Sequence, residues 1–600
     1  MGLLYAGLVL IPLLWVAWHL RTLGRNYDAA RSMGLPIVIC PYNPDSVVFA
    51  IISEPLRPIL RCLLPASSFR TFQLTLWGWE FHDKSAAHER LGPALVLVTT
   101  GLNRLISADP VMAAAILARR RDFVHPDVTT NTMGLLGPNI VTTSDESWSR
   151  QRRIVASALS ERISPGVWKE STEQASSLID ALHCSHSSGG STETVTGLRA
   201  VAINVLTRVA YGRHTPFALP SSSRATSTGM SYVEAISLCT ELLLAAAFIP
   251  SSILGLPIMP LNLRRLGAAL DQLPHLTRDM LDQERRRSFR SDGADPMMTG
   301  TSEDPLNVIM RTLVRLSDEA KAKATNQSST SLREKRLEVD SASFGRLYLT
   351  EDEIAGNLFI FTAAGFDTTS NTLGYAITLL AVYPEWQNWI QAEIDAVLRS
   401  PQGGQSKDAS LPDYSTAFPK LVRCLAVMFE TLRLFPAVTM VMRSIATTQT
   451  IPSAQSPATP LIVPAPCAVY INIMALHTST SAWGPDALEF KPSRWLRPGS
   501  QDGEPPVFVN PPPGSYLPWS AGPRKCPGQK MSQVEFVSVI ATLFGKCTAE
   551  PAPGEGETML QAKQRLLGLV QDSQPVFTLQ MNRPKEIRLQ WAKRRVGNVL

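Results

Sequence analysis

The sequence predicts a mainly α-helical fold with small β-sheets (α+β): one large domain behind an N-terminal transmembrane helix. Three observations carry that expectation. Apolar residues make up 44% of the 600 and charged residues 18%, so the chain can bury a large core. Its periodic segments recur mostly at helical spacing; one of them, residues 350–383, would reach about 50 Å, enough to cross a whole domain. The strand-like runs are short: Ala94–Thr99, Leu461–Val463 and Ala468–Ile473. Lys plus Arg number 57 against 51 for Asp plus Glu, a net charge of +6, too dilute over this length to point to nucleic acid. Eight Cys without a CxxC pair and nine His without an HExxH motif give neither a disulfide framework nor common zinc chemistry, and fit a reducing compartment.

Gly2 to Leu20 carries no formal charge and spans about 28 Å as a helix, roughly one bilayer core. Trp15 and Trp18 stand near its end, and Arg21, Arg25 and Arg31 follow. An uncleaved anchor over residues 1–20 with the body on the cytosolic side is therefore expected, the alternative being a buried N-terminal helix. A linker over 21–34 and one domain over 35–600 complete the expected organisation. A second uncharged run, Leu242–Leu263, is interrupted by Pro250, Pro257 and Pro260. It reads as two helices joined by an apolar loop, either at a membrane surface or simply buried. Ser185–Thr194, Pro220–Gly229, Ser288–Glu303, Ser317–Ser343 and Pro401–Ser410 are Ser-, Gly- and charge-rich and read as surface insertions.

The long helix opens with Thr350 and, three residues on, Glu353, in capping-box form, and Pro384 stops it. Its middle, Ala363-Ala364-Gly365-Phe366-Asp367-Thr368-Thr369-Ser370, gathers poor helix formers. Ala364 and Thr368 share a face. Small residues there let a bulky group press against the backbone. The Thr hydroxyl can bond back to the carbonyl four residues earlier or serve a ligand. A packing notch against another helix is the competing reading. Near the C-terminus, Gly522 and Gly528 permit tight turns around Cys526, and Arg524 and Lys525 favour a thiolate. A helical pattern over Gln529–Leu543 places the sulfur near a helix N-terminus. That suits a single thiolate ligand to a large cofactor, against the competing reading of an inert buried cysteine.

Residues Trp519-Ser520-Ala521-Gly522-Pro523-Arg524-Lys525-Cys526-Pro527-Gly528 resemble the haem-binding loop of the cytochrome P450 family, Phe-x-x-Gly-x-Arg-x-Cys-x-Gly. Trp148 and Arg152 match the family's Trp-x-x-x-Arg, and Ala364 to Thr369 its oxygen-activating motif. Glu430 and Arg433 match Glu-x-x-Arg, and Phe490 to Trp495 the later segment whose Arg joins that pair. The resemblance covers about Leu35 to Leu589, and the general look is similar to filamentous-fungal enzymes of secondary metabolism. Two positions depart from the pattern: Trp519 stands for Phe, and Ser532 for a small apolar residue six after the Cys.

The resemblance implies haem b (iron protoporphyrin IX) with Cys526 as its axial ligand. It directs Trp148, Arg152, Arg443 and Arg524 to the propionates and sets Ala364, Gly365 and Gly528 against the cofactor. Thr368 is expected to hydrogen-bond dioxygen, Asp367 to relay protons, and Glu430, Arg433 and Arg494 to form a structural triad. The implied activity is that of a single-pass endoplasmic reticulum monooxygenase. It would take NADPH electrons through a separate flavin-containing NADPH–cytochrome reductase and hydroxylate or epoxidise a lipophilic small molecule. Alternatives are a peroxide-driven or non-oxygenating rearrangement on the same fold, and a non-enzymatic membrane-anchored haem sensor. Pocket walls are expected from Val124–Ile140, Leu242–Leu263, Phe361 with Ala364, and Ala437–Val441. Arg150, Arg153 and Lys530 are expected to form a basic docking patch for the reductase.

Overall fold

A computed structural model of the chain describes residues 2–184, 190–219, 230–292, 309–330, 348–399, 411–499 and 506–594. The helices that frame its centre are, in chain order, α1 (Gly2–Arg31), α2 (Asp145–Ala158), α3 (Ser164–Cys184), α4 (Thr194–Tyr211), α5 (Tyr232–Glu241), α6 (Glu351–Val382), α7 (Val422–Leu434) and α8 (Gln529–Lys546). The strands that bear on the site are β1 (Ile37–Ile39), β2 (Ala94–Val98), β3 (Asn103–Ser107), β4 (Met440–Ile445), β5 (Gln449–Ile451), β6 (Leu461–Val463) and β7 (Cys467–Asn472). Mainly helical content with small sheets is thus what the chain forms.

Helix α6 is the axis. The capping box is made in full: Thr350 Oγ1 accepts the Glu353 N–H, and the Glu353 carboxylate accepts the Thr350 N–H. Acidic residues 351–353 in the first turn suit the positive end of the helix dipole. The poor helix formers at its centre are held by back-bonding hydroxyls, Thr369 to the Gly365 carbonyl and Thr372 to that of Thr368. Packing does the rest, as it does for most protein helices. Helix α4 lies along α6, and α3 along α8. Leu198, Val205, Leu358, Phe366, Phe536 and Val539, all fully buried, belong to one continuous core.

The main sheet runs β1-β2-β3-β7-β4. Strands β1 and β2 are parallel, as are β3 and β7; β2–β3 and β4–β7 are antiparallel. Strands β5 and β6 form a separate hairpin ladder. The register sets Arg443 of β4 opposite Val469 and so carries that arginine to the centre.

Three expectations change. Helix α1 does not end at Leu20 but continues to Arg31. Asn26 donates to the Thr99 and Gly101 carbonyls, and Ala30 and Met33 are buried against the sheet. Residues 21–34 are therefore mostly helix docked on the domain, not a free linker. No helix among the described residues is long and apolar enough to cross a membrane; the side chains of residues 1–9, 11 and 12, half of the expected anchor, lie outside them. Finally, Ser317–Ser343 begins as helix, within Ile309–Thr330. Ile309, Met310, Leu313 and Val314 supply a buried face, and Ser317 donates to the Leu349 carbonyl. Likewise 288–292 are the last residues of the helix Leu261–Asp292. Residues 185–189, 220–229, 293–303, 331–343 and 401–410 lie outside the described ones. In Leu242–Leu263 the prolines punctuate as expected. Short helices Leu243–Phe248 and Ser251–Leu254 precede Leu261, and Ile258, in the loop after the second of them, is 86% exposed.

The loop before α2 is fastened to the first turns of α6 by direct backbone contact. A Cβ on Gly356 would meet the carbonyl oxygens of Gly137 and Pro138 at 2.5 and 2.6 Å. Asn357 reinforces the contact by accepting the Ile140 N–H at 3.2 Å and donating to the Gln151 side chain of α2 at 2.9 Å. Gly356→Ala should therefore force the loop off the helix and cost about 1–3 kcal/mol, the usual range for overpacking. Thermal or chemical denaturation checks this, with limited proteolysis at residues 124–140 as the local readout.

Candidate active site

The cysteine loop is shaped by close packing. Gly522 has φ +68°, and a Cβ there would lie 2.4 Å from the Leu117 carbonyl oxygen, so conformation and space both require glycine. The Cys526 N–H donates to the Trp519 carbonyl at 2.9 Å, closing the turn, and α8 starts three residues later. Gly528 stands beside the sulfur: a Cβ there would be 3.9 Å from Sγ. Burial pushes the Cys526 thiol up, against the opposing pull of the Gly528 N–H, Arg152 and Lys525. Its side chain nevertheless opens to a cleft of about 400 Å³ that Arg152, Ala156, Leu159, Lys525 and Lys530 help to line. Binding to a cation would hold such a sulfur as thiolate. Arg152, expected at the propionates, donates to the Lys525 carbonyl at 2.6 Å and braces this loop.

A second cluster is cationic. Arg443 is buried, with its guanidinium 3.5 Å from His125 Nδ1. Burial and Arg524 push Arg443 down to about 10; burial, with Arg443 and Arg524, pushes His125 down to about 3. Arg524 donates to the Ile140 and Thr143 carbonyls, and its Nε is buried without a hydrogen-bond partner. The guanidiniums of Arg120 and Arg524 lie over the Trp148 ring, 4.6 and 5.0 Å from its centroid. Buried guanidiniums that repel one another call for an anion. Two haem propionates have that charge and shape, so the residues present fit the group: Cys526 would hold the metal and Arg443 with Arg524 the carboxylates.

Helix α6 has one open stripe. Beyond its second turn the partly open residues are Phe361, Ala364, Gly365, Thr368 and Asn371, at helical spacing, while the rest are buried. Thr368 Oγ1 donates to the Ala364 carbonyl at 2.7 Å, the back-bond the sequence suggested. Gly365 differs from its neighbours. A Cβ there would touch Leu206 of α4 at 3.3 Å, so at this position the notch receives a helix side chain. Asp367 is buried and accepts from Thr578 Oγ1, Asn371 Nδ2 and Arg199. Burial raises its carboxyl, and Thr578 and Arg199 pull it back. Arg199, on α4, also pairs with Glu241 of α5 at 3.1 Å, a side chain 57% exposed. The acid therefore reaches solvent through a guanidinium rather than directly.

The triad assembles as expected. Arg433 grips Glu430 with two bonds of 2.8 and 2.9 Å, Arg494 adds one of 2.9 Å, and the Lys491 N–H and Trp495 Nε1 complete the shell. Arg433 also donates to the His477 carbonyl, while His477 Nε2 accepts the Leu517 N–H at 2.8 Å. Tyr516 donates to the Phe429 carbonyl of α7. Through His477 and Tyr516 the triad thus holds the strand of chain that leads into Trp519 and Cys526.

Arg150 corrects an expectation. Instead of lying on a docking face, it is clamped on Glu353 of α6 by two bonds. Arg153 is exposed, and Lys530 sits 4.2 Å over the Phe418 ring and 3.8 Å from Glu161. The residues sequence reasoning missed are Arg120, His125, Arg199, His477 and Thr578. Only Arg120, inside Arg119-Arg120-Arg121, carried any local signal. Glu430→Ala should leave the fully buried Arg433 guanidinium without its anion, while Arg494 keeps Asp486, and cost about 3–5 kcal/mol. Denaturant titration measures the loss, and haem content after reconstitution should fall with it.

With this geometry in hand, the comparisons are direct. A family model described as Cytochrome P450 matches residues 70–579. The chain is 29% identical to the phomenoic acid biosynthesis cluster cytochrome P450 monooxygenase of Leptosphaeria maculans, over 94% of this chain and 95% of that protein. It is 25% identical to cytochrome P450 monooxygenase ORF6 of Penicillium roqueforti, over 92% of each. It is also 25% identical to cytochrome P450 monooxygenase prx9 of Penicillium rubens, over 89% of each. Since the match covers most of the chain and takes in the whole site, this chain belongs to the cytochrome P450 family and is an oxidoreductase with a haem-thiolate centre.

Proposed function

We propose that the protein hydroxylates or epoxidises a lipophilic small molecule of fungal secondary metabolism, using dioxygen and NADPH electrons delivered by a separate flavoprotein reductase. The observation that carries this reading is the open stripe of α6, where Thr368 lies next to a buried acid with a side-chain route to the surface. When bound, haem with a thiolate ligand supplies cleavage of the O–O bond and transfer of one oxygen atom. This chain's own residues supply protons, orientation and a dry pocket. Asp367 can hold a proton because burial favours its neutral form. Arg199, which keeps its own protons, is shared between Asp367 and the exposed Glu241, and a swing toward Glu241 would open Asp367 to water that replaces its proton. Thr368 can turn its hydroxyl from the Ala364 carbonyl toward a guest on the open face. The half-buried apolar side chains of Leu135, Leu136, Phe361, Ala437 and Val441 support a hydrophobic substrate. The Leptosphaeria maculans relative, named for the phomenoic acid biosynthesis cluster, supports secondary metabolism.

The basic mouth of the cleft beside Cys526, with Lys525, Lys530 and nearby Arg153, supports docking of an acidic reductase on the thiolate side. Such a patch would act more on association rate than on affinity. Thr368→Ala tests the reading. Substrate binding should stay near normal, while product formed per NADPH falls about tenfold or more and hydrogen peroxide rises in its place. Unchanged coupling would remove Thr368 from proton delivery.

We also propose a single-pass anchor over residues 1–20 in the endoplasmic reticulum membrane, with the domain in the cytosol. Exposed Leu13, Leu14, Trp15 and Trp18 support it, and exposed Leu244, Phe248, Ile258 and Leu261 support a second membrane contact. Deleting residues 1–20 should weaken sedimentation with vesicles, leave some residual association, and preserve the haem spectrum. A fully soluble deletion protein would refute the second contact.

A further inference from the structure

The two departures from the family's loop pattern touch each other. Trp519 Nε1 donates to Ser532 Oγ at 3.2 Å, and the Ser532 hydroxyl donates in turn to the Gln529 carbonyl at 2.8 Å. Trp519 is fixed from two further sides: its carbonyl takes the Cys526 N–H, and its ring lies 5.2 Å from that of Phe429. The backbone N–H groups of Gly528 and Gln529 face the sulfur. A phenylalanine at 519 would bring no donor to this turn. An indole brings a strong one, and near a thiolate its N–H has two destinations, the sulfur or another acceptor.

We propose that Ser532 is a positioning residue that takes the Trp519 N–H and keeps it off Cys526, so that the sulfur retains its electron density for the metal. Hydrogen bonds to a ligating sulfur are among the levers by which a protein sets a metal's reduction potential. A further donor to the sulfur weakens its charge donation, so that the oxidised centre is stabilised less and the potential moves upward. Serine at 532 therefore lets the chain keep a large aromatic ring in this turn without the electronic effect of its N–H. This inference rests on Cys526 being the haem ligand.

The test is a double-mutant cycle on the haem-loaded full chain: the parent, Ser532→Ala, Trp519→Phe and the pair. The readouts are reduction potential by spectroelectrochemical titration and the Soret maximum of the reduced carbon-monoxide complex. Ser532→Ala should favour the reduced form by about tenfold, which is 59 mV for a one-electron couple, and Ser532→Thr should restore the parent value. In the Trp519→Phe background Ser532→Ala should shift nothing. Ser532→Gly, also without a hydroxyl, carries the same expectation should the alanine variant load poorly. An equal shift in both backgrounds, no shift in the Trp519 background, or failure of Ser532→Thr to rescue overturns the proposal. A Cys526→Ala variant that kept the red-shifted Soret band would instead overturn the ligand assignment beneath it.

Discussion

Burying the Glu430 carboxylate costs several kcal/mol unless its lone pairs are met, and the way they are met organises the whole C-terminal half of the molecule. Arg433 comes from the same helix, whereas Arg494, Trp495 and the Lys491 N–H come from about sixty residues further on. The carboxylate can be satisfied only when these segments are already in place. Arg433, with no exposure of its own, directs its remaining donors to the His477, Ala487 and Glu489 carbonyls. His477 then receives the N–H of Leu517. A chain of bonds, each of which would leave a buried polar group unpaired if broken, thus ends two residues before Trp519. The cysteine loop, packed closely at Gly522 and Trp519, is tied through these bonds to that ion pair.

The opposite electrostatic situation holds on the other side of Cys526. Arg443, Arg524 and His125 are brought together by β4, the cysteine loop and the segment before α2, and they raise rather than relieve one another's cost. A protein built this way carries unspent binding energy for an anion at a fixed place. The haem propionates are suited to draw on it, and their binding would stabilise the folded chain by mass action. Two neighbouring clusters of arginine therefore have different meanings. Around Glu430 charge is balanced internally and serves architecture; around Trp148 it is left unbalanced and would suit an anionic guest.

These differences explain what could be read in advance. The cysteine loop, the capping box of α6, the short strands and the triad were legible because each is either local or tied to an ordered motif. Thr368 was legible for the same reason, down to its bond with the Ala364 carbonyl. Arg199, His125, His477 and Thr578 were not. Each is a single residue supplied by a remote element, and its role exists only after α4, β4 or the terminal hairpin has packed. Arg150 misled because a basic residue beside a motif looks the same whether it faces solvent or, as here, closes on Glu353. Gly365 shows that a residue inside a motif can meet a neighbouring helix while Ala364 and Thr368 stay open. The insertion beginning at Ser317 was misjudged because its polar composition hid a buried face established by the residues before it.

Helix α6 also works as an angular ruler. Its cap at Thr350, its contact with the loop at Gly356, its opening at Phe361, Ala364 and Thr368, and its acid at Asp367 occupy one uninterrupted span. Each residue advances the helix by about 100°, since 3.6 residues make a turn. Gain or loss of a single residue between Gly356 and Thr368 would swing the hydroxyl off the open stripe and bring a neighbour onto it. Length changes are cheap in the surface segments of this chain and ruinous here. Within this helix, adaptation to new substrates is confined to exchanging side chains at a constant phase.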